Sequence, residues 1–274
     1  MNGTVFYKMT GSGNDFVMLD GRHVAPEDWT AAAIARACDR RNGVGADGVV
    51  ILSPEGPGRV RMRYWNSDGS PAAMCGNAAL CSTRLAALLE LAPAGGMTLV
   101  TDAGLVQTRC VGDGHMAEIG LPPFPVPRAV NIEPRAGESA FFLGTVGVPH
   151  LVVVTRNCFD VAVVDRGREL RFDPAVGEGG ANVNFVSPPN GIQGGAWTIR
   201  TYERGVEAET LACGTGTVAA AFALEVAGLG GLPLQWLTGR GSRLGVSGRI
   251  EGGQGRDAWL LGEGRLVFTG SFAI

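Results

Sequence analysis

Short apolar runs, each closed by glycine, proline or a polar cluster, repeat along the whole chain. Runs rich in Val, Ile, Leu and Phe at 49–52, 60–65, 99–101, 106–110, 115–119, 151–155 and 198–202 predict strands, and so do 234–237, 244–250, 257–262 and 265–268. Thr4-Val5-Phe6-Tyr7-Lys8-Met9 alternates like an ordinary strand. Only three stretches predict helices. Residues 26–40 open with proline and two acids suited to a first helical turn, while 78–91 and 216–227 are apolar and follow glycine-rich turns.

The surroundings of the last two helices match. Before each comes an arginine-led strand and a polar turn, then a cysteine, a glycine and a small polar residue. Tyr64 stands eleven residues before Cys75, and Tyr202 eleven before Cys213. The two cysteines are 138 residues apart, close to half the chain. Matching cysteine, spacing and helix predict an internal duplication. The proline-rich stretch 121–127 is the natural linker, giving one half of 1–120 with 266–274 around Cys75, and another of 121–265 around Cys213.

Composition narrows the chemistry. With 45% hydrophobic residues in 274, the chain can bury a sizeable core. No run reaches the roughly 18 apolar residues of a membrane span, and the first residues lack a basic start leading into an apolar stretch, so a cytoplasmic protein without membrane contact is expected. A net charge of −3 without a basic cluster argues against nucleic acid as partner. Lys8 is the single lysine, which leaves one candidate for a pyridoxal phosphate Schiff base, and its strand context speaks against that role. The six cysteines, at 38, 75, 81, 110, 158 and 213, form no CxxC pair. A zinc site from Cys75, Cys81, Cys213 and His150 lacks any paired-ligand motif, and no metal is expected. Cys38, Cys110 and Cys158 read as buried thiols, and Cys81 as facing the core.

A cysteine at the start of a helix is a different matter. The first backbone N–H groups of a helix lack partners and carry about half a positive charge, so a thiolate gains there. The same groups attract anions, and Gly76 and Gly214 leave the approach to them open. An amino-acid carboxylate between two such ends would be stabilised as its α-proton leaves. One thiolate would take the proton while a thiol on the opposite face returned one, inverting the centre.

Ordered motifs along nearly the whole chain resemble those of the diaminopimelate epimerase family. They are Lys8-Met9-Thr10-Gly11-Ser12-Gly13-Asn14-Asp15-Phe16, Arg41-Asn42-Gly43-Val44-Gly45-Ala46-Asp47, Tyr64-Trp65-Asn66-Ser67-Asp68-Gly69-Ser70 and Met74-Cys75-Gly76-Asn77. Then follow Gly147-Val148-Pro149-His150, Asn182-Val183-Asn184-Phe185, Tyr202-Glu203-Arg204-Gly205 and Ala212-Cys213-Gly214-Thr215-Gly216. The resemblance implies an α/β (α+β) fold of two pseudo-symmetric halves. Each would be a mixed, mostly antiparallel sheet curled around a central helix, with the active site in the cleft between them. It also implies epimerisation of LL- to meso-diaminopimelate without pyridoxal phosphate or metal, and often a homodimer. By motif match Cys75 and Cys213 would be the acid/base thiols, and the amides of Gly76-Asn77 and Gly214-Thr215 would hold the reacting carboxylate. Asn14, Asn66, Asn184, Glu203 and Arg204 would bind the polar ends of the substrate. Asp15 and His150 would be structural or supporting.

The chain departs from the family pattern in places. Val148 stands where an asparagine is usual, Gly48 where glutamine is frequent, Ala78 for glycine and Leu80 for arginine, and Thr10 and Ser12 are also uncommon. Two alternatives stay open: a cofactor-independent racemase of another amino acid such as histidine, which would suit Val148, and a non-catalytic protein whose glycine-rich helix starts bind small anions.

Overall fold

A computed structural model describes residues 3–189, 195–210 and 213–272; Ala212 of the second cysteine motif lies outside them. The chain divides into two compact units, Met1–Gly120 with Leu261–Ile274, and Leu121–Leu260. Among the described residues no helix is long and apolar enough to cross a membrane.

The first unit runs β1 (Thr4–Gly11), β2 (Asn14–Asp20), α1 (Ala31–Cys38), β3 (Gly48–Pro54), β4 (Arg59–Asn66), β5 (Pro71–Ala72), α2 (Gly76–Leu88), β6 (Met97–Thr101), β7 (Gly104–Val111) and β8 (Met116–Leu121). The last strand of the chain, Arg265–Phe272, pairs antiparallel with β1, which pairs antiparallel with β2. β2 and β3 are parallel, with Phe16 opposite Gly48. β3–β4, β4–β5, β6–β7 and β7–β8 are antiparallel, and β4–β6 is parallel. Both faces of β2 and β3 are buried. Val17, Leu19, Val49 and Ile51 pack against Ile34, Ala37 and Cys38 of α1. Strand alternation turns Met18, Val50 and Leu52 to the other side, where α2 lies against β2 and β3. α2 also touches β1, β4, β6 and β7, so the sheet curls round it. A helix enclosed this way must be small and apolar on all sides, and Ala78, Ala79, Leu80, Cys81, Leu85 and Ala86 are all buried.

The second unit repeats this programme. It runs β9 (Phe124–Pro125), β10 (Arg128–Ala129), β11 (Glu138–Val146), β12 (Val148–Thr155), α3 (Val163–Arg171), β13 (Asn182–Ser187), β14 (Trp197–Glu203), β15 (Ala208–Thr210), α4 (Gly214–Val226), β16 (Leu234–Thr238), β17 (Arg243–Glu251) and β18 (Gln254–Glu263). Numbering the final strand β19, β11 to β17 pair as β1 to β7 do: β11–β12 antiparallel, β12–β13 parallel, β13–β14 and β14–β15 antiparallel, β14–β16 parallel, β16–β17 antiparallel. α3 covers Leu151, Val153, Val183, Phe185 and Tyr202 as α1 covers its strands, and α4 lies against β11, β12, β13 and β17.

α2 and α4 match in detail. Each has 13 residues, with a cysteine at the N-cap in extended backbone. Each ends in a Schellman turn: Leu91 N–H bonds Ala86 O at 2.8 Å and Glu90 N–H bonds Ala87 O at 3.1 Å, while Leu229 and Gly228 make the same bonds to Leu224 O at 3.0 Å and Glu225 O at 3.1 Å. The left-handed residue is Gly228 in one and Glu90, φ 57°, in the other.

The strands β2, β11 and β13 lie outside the apolar runs read as strands, and two helical elements differ from the sequence pattern. The helix expected over 26–40 is a short 3-10 turn, Pro26–Asp28, and then α1, because Thr30 takes the N-cap position and its Oγ1 accepts from Ala33 N–H at 3.3 Å. α3 was hidden by its charges and by Gly167, a poor helix former. Here glycine answers a packing demand, since a Cβ at 167 would stand 2.4 Å from Tyr202 Cβ.

Candidate active site

In the first unit, β4 and the turn after it lead the chain to Cys75. Asn66 closes β4. Its Nδ2 donates to Ser70 Oγ at 3.1 Å and its Oδ1 accepts from the Tyr64 hydroxyl at 3.1 Å. Tyr64 has room because residue 48 is glycine: a Cβ there would lie 2.6 Å from Tyr64 Cε2 and 2.5 Å from Trp65 O. Burial first, then the negative charge of nearby groups led by Cys75, pushes the Tyr64 hydroxyl well above its usual pKa, so it remains a donor.

Cys75 is half-buried at the α2 N-cap. The first helical bond runs from Ala79 N–H to Cys75 O at 2.9 Å, so the amides of Gly76, Asn77 and Ala78 precede it. A Cβ at Gly76 would meet only Ile119 Cδ1, at an ordinary 3.6 Å, so packing within the unit does not demand this glycine. Asn77 is buried, and its Nδ2 donates to Asn14 Oδ1 at 2.7 Å. Asn14 opens β2 after the Ser12–Gly13 turn, where φ is positive at both residues. Asn14 Nδ2 donates in turn to Asp47 Oδ2 at 2.9 Å.

In the second unit Cys213, also half-buried, holds the α4 N-cap, and the amides of Gly214, Thr215 and Gly216 precede the first helical bond, Thr217 N–H to Cys213 O at 2.9 Å. Cys213 Sγ lies 3.7 Å from Thr215 Oγ1, which lies 3.0 Å from His150 Nε2. Asn184 Nδ2 approaches His150 Nδ1 at 3.3 Å and Leu151 O at 3.3 Å, while its Oδ1 accepts from Thr201 Oγ1 at 2.9 Å. An amide nitrogen only donates, so Nδ1 accepts and Nε2 carries the ring hydrogen. His150 Nε2 then donates to Thr215, which leaves the Thr215 hydroxyl hydrogen available to Cys213 Sγ. Burial holds His150 neutral, at about 4, against the opposing pull of the Val146 carbonyl; Arg204 adds to the lowering. Gly216 makes room for this set, because a Cβ there would meet Asn184 Oδ1 at 2.2 Å.

Glu203 ends β14, and Arg204 follows it. Arg204 N–H donates to Asn182 Oδ1 at 2.8 Å, and its Nη1 donates to Gly179 O at 3.0 Å. Asn14 and Asn77 are thus joined in the first unit, and Asn184 and Thr215 in the second. Asn184 is fully buried, and its amide meets His150, Leu151 and Thr201. Asn182 shares a strand face with Asn184 and fixes the backbone of Arg204, a role that no local sequence signal marks. Asp47 and Tyr64 stand in the same family motifs, and the sequence by itself points to no role for either. Of the remaining thiols, Cys81 is fully buried with its pKa pushed well above the ordinary value by burial, and burial raises Cys38 to about 11. Cys158 is buried too, and Cys110 is half-buried.

The model of the family described as diaminopimelate epimerase matches residues 6–123. The diaminopimelate epimerase of Gemmatimonas aurantiaca is 43% identical, covering 98% of this chain and 99% of its own length. That of Flavobacterium psychrophilum is 35% identical over 96% and 97%. Among solved structures, a phenazine biosynthesis protein of the PhzF family from Enterococcus faecalis superposes with a TM-score of 0.72, covering 99% of this chain and all of the other, at 14% identity. At that identity the likeness speaks for the fold alone.

Proposed function

The chain belongs to the diaminopimelate epimerase family, and we propose that it interconverts LL- and meso-diaminopimelate by passing the α-proton between Cys75 and Cys213. The observation that carries this reading is the repeated one: a cysteine at the N-cap of a buried 13-residue helix in each unit, with amides free of helical bonds just beyond it. In the reaction one sulfur, as thiolate, removes the α-proton. The electron pair moves into the carboxylate, and the amides of Gly76, Asn77, Gly214 and Thr215 offset the charge that grows there. The opposite thiol then delivers its proton to the other face of the carbon. The chemistry requires one sulfur on each side of that carbon, and no cofactor.

Arg204 is assigned to the remote carboxylate, which a guanidinium can grip with two N–H groups. Asn14, Asn66 and Glu203 are assigned to the polar ends of the substrate, and Asn184, whose amide meets His150, Leu151 and Thr201, to the support of the second unit's share of the site. The product feeds lysine and peptidoglycan synthesis. A reducing cytoplasm suits an enzyme that needs both thiols unoxidised. A racemase of another amino acid is the second reading, favoured by Val148, an apolar side chain 37% exposed at the start of β12. The test is deuterium uptake at the α-carbon in D₂O, without added cofactor, across diaminopimelate, histidine and a small amino-acid panel. Exchange with diaminopimelate supports the first reading, exchange only with another amino acid moves the assignment to the second, and exchange with none rejects both.

A further inference from the structure

The only lysine of the chain is buried, and it anchors a run of hydrogen bonds that ends beside Cys75. Lys8 Nζ donates to Asp15 Oδ2 at 2.6 Å and to the Gly45 carbonyl. Asp15 also takes both ends of the Arg40 guanidinium, at 3.0 and 2.7 Å. Burial alone would raise the Asp15 carboxyl, but the hydrogen bonds from Arg40 and Lys8 outweigh it and hold it at about 2. Arg40 Nη2 reaches on to Asp47 Oδ1 at 2.9 Å. The other oxygen, Asp47 Oδ2, accepts from Asn14 Nδ2 at 2.9 Å and from the Asp15 backbone N–H at 3.2 Å. The Asp47 backbone N–H donates back to Asp15 O at 2.8 Å, which locks this carboxylate to the start of β2.

The direction of the run follows from what each group can do. A carboxylate only accepts, so Asn14 must turn its Nδ2 towards Asp47. Its Oδ1 then faces Asn77, which must present its own Nδ2, the 2.7 Å contact. Reversing Asn14 would set oxygen against oxygen at Asp47. Reversing Asn77 would do the same at Asn14. We propose that Asp47 is a positioning residue for the reaction: its charge fixes the orientation of the Asn14 and Asn77 amides, and so shapes the first turn of α2 where the substrate binds beside Cys75. Lys8 and Arg40 hold Asp47 and Asp15 in place. This rests on the function proposed above, since it places substrate at that turn.

Asp47→Asn keeps the size and shape but removes the one-way constraint, because an amide can both donate and accept. Loss of one oriented hydrogen bond to substrate predicts a rise in KM of about tenfold, with kcat changed less than about threefold. In the resting protein labelled with ¹⁵N-asparagine, the side-chain amide signals of Asn14 and Asn77 should shift and exchange faster with water. An unchanged KM overturns the proposal whatever the amides do, and so do unchanged amide signals. Should Asp47→Asn fail to fold, Arg40→Gln frees Asp47 Oδ1 from a side chain that is 60% exposed and leaves the carboxylate present. It should raise KM about two- to threefold, and no rise again overturns the proposal. If the wild-type protein exchanges no α-proton, the function fails separately, and the amide signals alone decide whether Asp47 orients Asn14 and Asn77.

Discussion

His150 Nε2 lies 3.0 Å from the Thr215 hydroxyl, beneath the turn that carries Cys213, and the imidazole is fully buried. Burial of the ring makes stability depend on pH in a defined window. The ring titrates near 6.5 when unfolded and at about 4 in the folded chain. The unfolded chain therefore binds the proton more readily between those values. The contribution is complete above pH 6.5, falls as pH drops and is lost below about 4. Between pH 7 and 5 the loss amounts to about 2 kcal/mol from this residue. Urea unfolding at the two pH values measures it. His150→Gln, which keeps a polar side chain at the site, should flatten the slope by at least half. An unchanged slope would remove His150 as its source.

Glu90 and Gly228 hold the same left-handed position at the ends of α2 and α4, but only Gly228 does so without a Cβ penalty. A side chain there costs roughly 1–2 kcal/mol, partly offset by the extra freedom glycine gives the unfolded chain. Glu90→Gly should stabilise by about 0.5–1 kcal/mol and raise Tm by roughly 1–3 °C. A lower Tm by scanning calorimetry would mean that Glu90 makes a contact outweighing its backbone strain.

The cysteine-bearing helices were legible because they need only local signals: a cysteine, a glycine and a small polar residue before an apolar run. Their Schellman ends and matching strand order follow from the same repeat. Asp47 was not legible as a positioning group. Its role arises from the parallel register that sets Phe16 opposite Gly48 and so brings residue 47 beside residue 15. Tyr64 likewise depends on the space above Gly48, which no local pattern announces. The burial of Asn184 and its contact with His150 likewise come from strand pairing, which its motif does not announce. α3 escaped because its glycine and arginines suggest a loop until Tyr202 is seen against Gly167.

Thiol reactivity separates the two cysteines from most of the others. Cys38, Cys81 and Cys158 are buried, and burial disfavours the thiolate at Cys38 and Cys81. Cys75 and Cys213 stand at helix starts that favour it. Limited iodoacetamide treatment at pH 8, read by peptide mass spectrometry, should modify Cys75 and Cys213 before any other cysteine, including the half-buried Cys110. Substrate should slow both. Faster labelling of Cys110 or Cys81 would contradict the electrostatic argument.

Replacing either sulfur should stop the reaction. Cys75→Ala and Cys213→Ala each remove one of the two proton carriers, and a loss of about 10²–10⁴-fold in kcat is expected for each. Circular dichroism should leave the fold unchanged, since both side chains are half-buried at helix ends. Wild-type kcat in either variant would exclude the two-thiol mechanism.

Oxidation asks most directly whether the two sulfurs meet at one carbon. Diamide accepts two electrons and two protons from a pair of thiols, joining neighbours as a disulfide. Treated without substrate, the protein should lose epimerase activity in proportion to a Cys75–Cys213 disulfide found by peptide mapping, and dithiothreitol should restore both thiols and the rate together. Inactivation with Cys75 and Cys213 still open to alkylation, or a disulfide joining either of them to a different cysteine, would contradict the account.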